Sequence, residues 1–495
     1  MKPFLEVEKN RQAYHQDASR NTVHRTSLLA PKIAGAATCI SFLNHFLIKR
    51  GYTEVMCKLT CIDMAGRAIQ SSSIEIKEPR VYAINLDEFF GNAPGTSQYL
   101  IEFYSHRNLF IPFPAVMVNH IGTDFTNVVH SYNRVLNDIF ENDAVNKHQV
   151  SEASIDVCVN ERYDTFFNFT AGPFKPAGQI EVSVCRGDSS RTANVPVDIE
   201  RLASQNFHLS DIFPGSVIEP GSVLKILQPK QDLFYGRLLS GMVDRKTGAF
   251  SANHSYYDSS DTREYFDNDH SQRIYPYFSG FLNRVTMYPV MSPGAVAVHI
   301  RLHGDGKSTD SPSQWLRSPS SDPVSFDVDT LVSEARLETC NAFEVMAVAK
   351  NGEKIPTRVM HQLSYGMRNS QSMLLSSIAV GLQNQQAFVP SYKTGFTWGQ
   401  MLNLPGYASR MGLCFSDSTG AADQVDVTFY DESGEISQTS ALLAPRESLV
   451  FNPTRLGGKA GDFVWFIAKS KRPDLAAQCF HAHAISHNAS GEHSF

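Results

Sequence analysis

Histidine is the residue whose spacing in this chain first suggests chemistry. His481, His483 and His487 fall at positions of one parity, so a strand through them would turn three imidazoles to one face. Three imidazoles on one face is a metal-ligating geometry. The plainer alternative is a polar strand facing solvent. A second group lies in VNHIGTDFTNVVHSYNR, where His120 and His130 flank Asp124. A His-Asp-His set suits Zn or Fe(II). His254 ends a matching His-Ser-Tyr and joins His120 and His130 as a third candidate ligand. Separate strands must bring these together.

Past each His-Ser-Tyr the chain is dense in polar and aromatic groups. His130 leads into Tyr132, Asn133 and Arg134. Asn253 and His254 lead into Tyr256, Tyr257 and Asp258. Planar rings beside amides, acids and arginine suit a glycan, whose C–H faces lie on tyrosine while its hydroxyls find donors and acceptors. The competing reading is a hydrogen-bond network joining domains.

Signatures of catalysis are lacking. The chain has no G-x-S-x-G and no H-E-x-x-H. HGDGKST (His303–Thr309) fails as a phosphate-binding loop, because Arg301 stands where the leading glycine belongs. It reads as a hairpin turn, as does the Arg-Gly-Asp at Arg186–Asp188. The 8 cysteines include no C-x-x-C pair and sit in apolar runs, where they read as buried, reduced thiols.

The bulk numbers narrow the class. A content of 42% hydrophobic and 19% charged residues is that of a folded globular protein. A net charge of -6 gives no broad basic field, so no nucleic-acid partner is expected. No apolar run is long enough for a membrane span. The N-terminus, MKPFLEVEKNRQAYHQDASRN, has no apolar signal core, so a cytoplasmic location is the default expectation, with signal-less export also compatible.

The elements that must position these residues repeat. An apolar strand carries an asparagine in SFLNHF (Asn44), TFFNFT (Asn168) and GFLNRV (Asn283), and the fourth copy, SRMGLCFS, lacks it. Hairpin turns follow at DMAG, CRGD, HGDG and DESG, where Asp and Gly supply tight-turn conformations. An acidic element comes next, at Asp87, Asp211 and Asp329. Each unit then ends on a histidine-bearing strand, at His130, His254, His361 and His481. Units roughly 105–125 residues apart, built of short alternating strands, predict an all-β chain of four tandem antiparallel β-sandwich repeats of immunoglobulin-like size.

The expected layout is a polar arm over 1–36 and repeats over 37–135, 151–260, 277–366 and 408–495. The connectors are 136–150, an acidic 261–276, and 367–407 with an extra strand. A short helix is expected after Tyr132. This predicts a non-enzymatic binding or scaffold protein recognising carbohydrate at interdomain loops. Its rivals are a metal-dependent enzyme holding Zn or Fe through histidines, and a self-associating structural subunit.

Overall fold

A computed structural model describes residues 2–3, 24–106, 114–134, 151–229, 235–257, 264–289, 295–316, 322–384, 394–456 and 460–495. The chain is nearly all-β and divides into two compact units. The first comprises Ala13–Cys185 and Ser190–Tyr257. The second comprises Met1–Gln12, Arg186–Ser189 and Asp258–Phe495.

The first unit opens with β1 (His24–Pro31), β2 (Ala37–Leu43), β3 (Val55–Asp63), β4 (Ala68–Ile76), β5 (Val81–Asn85), β6 (Thr96–Ser105), β7 (Met117–Ile121) and β8 (Thr126–His130). They form two antiparallel sheets, ordered β1-β6-β3-β4 and β5-β2-β7-β8. A second set follows: β9 (Ser151–Val159), β10 (Tyr163–Thr170), β11 (Gln179–Arg186), β12 (Ser189–Pro196), β13 (Ser204–His208), β14 (Ile218–Leu227), β15 (Leu239–Asp244) and β16 (Phe250–His254). Their order is β12-β11-β14-β9-β10-β15-β16, with β13 on the side of β10. The two halves of this sheet join at one residue pair, Val159 with Asp164.

The second unit carries β17 (His270–Pro276), β18 (Phe281–Met287), β19 (Val296–Gly304), β20 (Lys307–Asp310), β21 (Val324–Asp327), β22 (Ala342–Ala349), β23 (Met360–Met367) and β24 (Ile378–Gly381). Then come β25 (Gly395–Leu402), β26 (Tyr407–Phe415), β27 (Asp423–Asp431), β28 (Gly434–Leu443), β29 (Leu449–Phe451), β30 (Phe463–Ser470), β31 (Leu475–His483) and β32 (Ala489–His493). The sheets are β17-β22-β19-β20 with β21-β18-β23-β24, and β25-β30-β27-β28 with β29-β26-β31-β32. In each set the first strand pairs the sixth, and the second pairs the fifth and seventh. An immunoglobulin domain instead keeps its F and G strands in one sheet, whereas here the sixth and seventh strands lie in different sheets, or in the second set in different halves of one, so the likeness is one of size only.

Period-two patterning explains which face is buried. In β27, Val425, Val427 and Phe429 point into the core while Gln424 and Asp426 are exposed. Cores are shared by facing sheets. Val298, Ile300 and Phe343 from one sheet meet Val285, Leu363 and Tyr365 from the other. In the first set Phe42 and Phe103 meet edge to face at 5.1 Å. Each such ring contributes roughly 1.5–3 kcal/mol by leaving water. The fourth strands of three sets, β4, β12 and β28, end their sheets among the described residues; β4 and β12 are exposed along most of their length, and β28 alternates between exposed and half-buried positions.

The predicted turns close the hairpins β3–β4, β11–β12, β19–β20 and β27–β28. Asp305 and Gly306 take the positive φ values, 51° and 71°, that such a turn needs. The acids lie in short helices: α1 (Leu86–Phe89), α2 (Leu209–Ile212) and α3 (Val328–Glu334). Asp87 accepts hydrogen bonds from the Thr38 amide and the Tyr99 hydroxyl, each at 2.7 Å. Asp329 does the same with the Asn283 amide and the Tyr277 hydroxyl, each at 2.8 Å. Both carboxylates therefore pin the connecting helix to a neighbouring strand.

Several boundaries differ from those expected. Residues 24–31, read as part of a polar arm, form β1, because Leu28, Leu29 and Ala30 are buried against β6. The acidic connector contains β17, and the 367–407 connector contains both β24 and β25. Asn133–Arg134 pairs with Tyr235–Gly236 as a short strand where a helix was expected to begin, and the remainder of that stretch lies outside the described residues. All 8 cysteines are free thiols. No helix among the described residues is long and apolar enough to cross a membrane.

Candidate functional site

The two His-Ser-Tyr segments are matched strand ends within the first unit. Beyond β8, Ser131 donates its N–H to the Val116 carbonyl (2.8 Å) and its hydroxyl to the Pro114 carbonyl. Beyond β16, Ser255 donates its N–H to the Leu238 carbonyl (2.7 Å), and its oxygen accepts the Leu238 N–H (3.0 Å). Each serine thus ties the end of a set's eighth strand to the residues preceding its seventh. The Ser255 hydroxyl also bonds the buried Glu152 carboxylate. The strands then meet. Ala252 donates its N–H to Asn127 Oδ1 at 2.6 Å, Phe250 lies 5.6 Å from the His120 ring, and the His130 and His254 rings stand edge to face at 4.6 Å.

Most of the residues expected to bind a ligand are occupied by the fold. Tyr132 is 2% exposed, and burial pushes its hydroxyl pKa up. The Asn133 amide imitates a strand partner, accepting from the Leu29 N–H (2.8 Å) and donating to the Leu29 carbonyl (3.0 Å). Asn253 is buried and accepts the His254 N–H. Arg134 and Tyr257 pair through their backbones, with Tyr235 and Glu152. Asp258 lies outside the described residues. Tyr256 differs: it is half-buried, with the Arg237 guanidinium 4.7 Å from its ring and His254 at 5.1 Å.

The expected metal ligands separate into a pair and several residues held elsewhere. His130 and His254 are adjacent. His120 Nε2 is bonded to the Pro31 carbonyl at 2.9 Å, and burial lowers its pKa to about 4. The His481–His487 strand face does not form, because β31 stops at His483 and a turn follows. His481 points into the core, 2.7 Å from the Ser409 hydroxyl, with burial lowering its pKa to about 3. His483 Nδ1 accepts the Ser486 N–H at 3.1 Å, and His487 sits in the turn at φ 61°.

Neither His361 nor His481 ends an eighth strand; both lie in seventh strands, β23 and β31. The true third strand end is His493-Ser494-Phe495. Ser494 donates its N–H to Ala477 O (3.1 Å) and accepts the Ala477 N–H (3.0 Å), as Ser255 does with Leu238. His493 Nδ1 lies 2.9 Å from Ser494 O, and His254 Nδ1 lies 2.9 Å from Ser255 O. Phe495 stacks on Trp398 at 5.8 Å. The signal was His-Ser-aromatic, with Phe in the place of Tyr.

The second unit also holds a pocket of about 260 Å³ whose lining combines residues of its two strand sets. One wall is Tyr277, Phe278 and Phe281. Arg410, from β26, places its guanidinium 4.9 Å from the Phe281 ring and donates to the Ser409 carbonyl at 2.7 Å. Phe480 packs behind, 4.9 Å from Phe278 and 5.1 Å from Phe281. Cys340 lines the same space, but burial pushes its thiol up to about 12, so the thiolate needed of a nucleophile does not form near neutral pH. Arg410 lies in SRMGLCFS, the copy distinguished in the sequence by its missing asparagine.

No family model matches the chain. No curated protein matches it. Among solved structures, a tetra-tandem repeat from the extending region of a large adhesion protein is similar at 10% identity. That match covers 94% of this chain and 97% of the other, with a TM-score of 0.10.

Proposed function

We propose that the chain is a non-enzymatic scaffold of four tandem β-sandwich units that works by contact and recognises carbohydrate. The observation that carries this reading is the recurrence of one strand pairing order through all four sets. Repetition of a closed module extends a surface without building a catalytic centre. The matched serine ties at Ser131, Ser255 and Ser494 support the same reading, since they fasten each strand end within its own module. For the ligand, Tyr256 with Arg237 is the accessible polar-aromatic surface at the strand ends. Stacking on tyrosine contributes to sugar recognition through the C–H face of the ring. The test is a glycan panel against the full chain and its Tyr256→Ala variant. Binding that Tyr256→Ala weakens is expected; a panel without hits removes carbohydrate from the proposal. Light scattering over a concentration series then tells a self-associating scaffold from a monomeric one.

A second reading is favoured by the His130–His254 ring contact at 4.6 Å. Two imidazoles this close could ligate one transition ion such as Zn or Fe(II). Elemental analysis of the purified chain decides it. Stoichiometric metal, lost in His254→Ala, would move the function toward a metal-dependent one.

A further inference from the structure

The geometry points to a carboxylate-bearing sugar ring, a uronic acid, as the ligand of the pocket framed by Tyr277, Phe281 and Arg410. At about 260 Å³ the space lies below the range of drug-sized sites, so it fits one ring and not a longer chain. Its lining is aromatic on one side, with Tyr277, Phe278 and the half-buried Phe281, and an aromatic wall suits the C–H groups of a sugar ring. Among the described residues of the lining, Arg410 is the one charged side chain. Asp329, which accepts the Tyr277 hydroxyl, is offset by Arg368 at 2.9 Å.

Arginine suits this role because its planar fork matches the two oxygens of a carboxylate. The fork is positioned beforehand, by the Phe281 ring on one side and the Ser409 carbonyl on the other. A group so held loses little freedom when a ligand arrives. Asn341 and Ser279 are exposed at the rim, placed to meet ring hydroxyls. This proposal rests on the preceding reading, recognition of carbohydrate by contact, and it concerns different residues.

The test is calorimetric titration of the full chain with D-glucuronate, D-glucose and acetate. Glucuronate is expected to bind at least about tenfold more tightly than glucose, the difference a charge-assisted contact makes, and acetate is expected not to register. Arg410→Gln should abolish the preference for the acid. Val450→Trp, at an exposed rim position, should block the pocket without changing the melting temperature. Equal affinity for glucose and glucuronate, acetate binding as tightly as the sugar, binding of neither sugar, or a preference surviving Arg410→Gln would each overturn the assignment. Tyr256→Ala leaves glucuronate binding intact if this pocket is the site; loss there would overturn it too. Glycan binding that survives Tyr256→Ala leaves the pocket standing, and a failed glucuronate titration leaves Tyr256 standing.

Discussion

Lowering the pH from 7 to 5 is expected to destabilise the second unit by about 4 kcal/mol, and two buried histidines are the reason. His361 is fully buried in β23, neither ring nitrogen meets a hydrogen-bond partner, and the Tyr275 ring lies 5.2 Å away. Burial, with the Arg273 charge adding to it, lowers its pKa to about 3. Burial alone does the same to His481. Both are depressed below the unfolded value of about 6.5, so the unfolded chain binds more protons throughout the interval between. Stability is therefore fully present above pH 6.5 and is lost as the pH falls toward 3. At pH 5 the difference is about 1.5 pH units, or about 2 kcal/mol for each histidine. The loss is large against a total of about 5–15 kcal/mol. Trp315, Trp398 and Trp465 all lie in the second unit, so tryptophan fluorescence in urea reports on it selectively. His361→Leu should remove about half of the pH dependence. A variant with the same loss between pH 7 and 5 as the parent would refute the reasoning.

Three further outcomes are expected. Gly412→Ala places a Cβ 2.4 Å from Pro276 Cβ and 3.1 Å from the Phe278 ring. It should lower stability in urea by about 1–3 kcal/mol, and an unchanged midpoint would show that β26 can move aside. Ser494→Ala leaves the Ala477 N–H without its side-chain acceptor, and a loss of about 1–3 kcal/mol should register in the same fluorescence melt. Native protein treated with iodoacetamide should keep its mass over minutes, while unfolded protein gains one adduct at each of its 8 cysteines; rapid native labelling of Cys414, whose thiol burial pushes to about 12, would contradict the packing.

What the sequence disclosed followed the physics of short range. Turn residues such as Asp305-Gly306 and the alternation in β27 act locally, so the hairpins and the all-β class could be read directly. The acids at Asp87 and Asp329 were visible, though their partners, distant in sequence, were not. Strand β1 was missed because it opens on the polar types Arg25, Thr26 and Ser27, and only pairing with β6 reveals that it is buried. His481, His483 and His487 share parity, but parity holds only while the strand continues, and a turn after His483 ends it. The pairing of His130 with His254 joins positions that nothing local relates. Arg410 gave no signal of its own, since a guanidinium becomes a recognition group only when an aromatic wall is folded beside it.

The edge-forming fourth strands carry a colloidal consequence. β4, β12 and β28 are 9, 8 and 10 residues long, and an edge strand offers one row of outward N–H and C=O groups as a template for a foreign strand. Serine, threonine and glutamine recur along these edges, and each strand bears a single charge: Glu75, Arg191 and Glu435. Those three side chains are the gatekeepers against intermolecular sheet growth. Charge at these margins is therefore expected to help keep a concentrated or refolding sample dispersed.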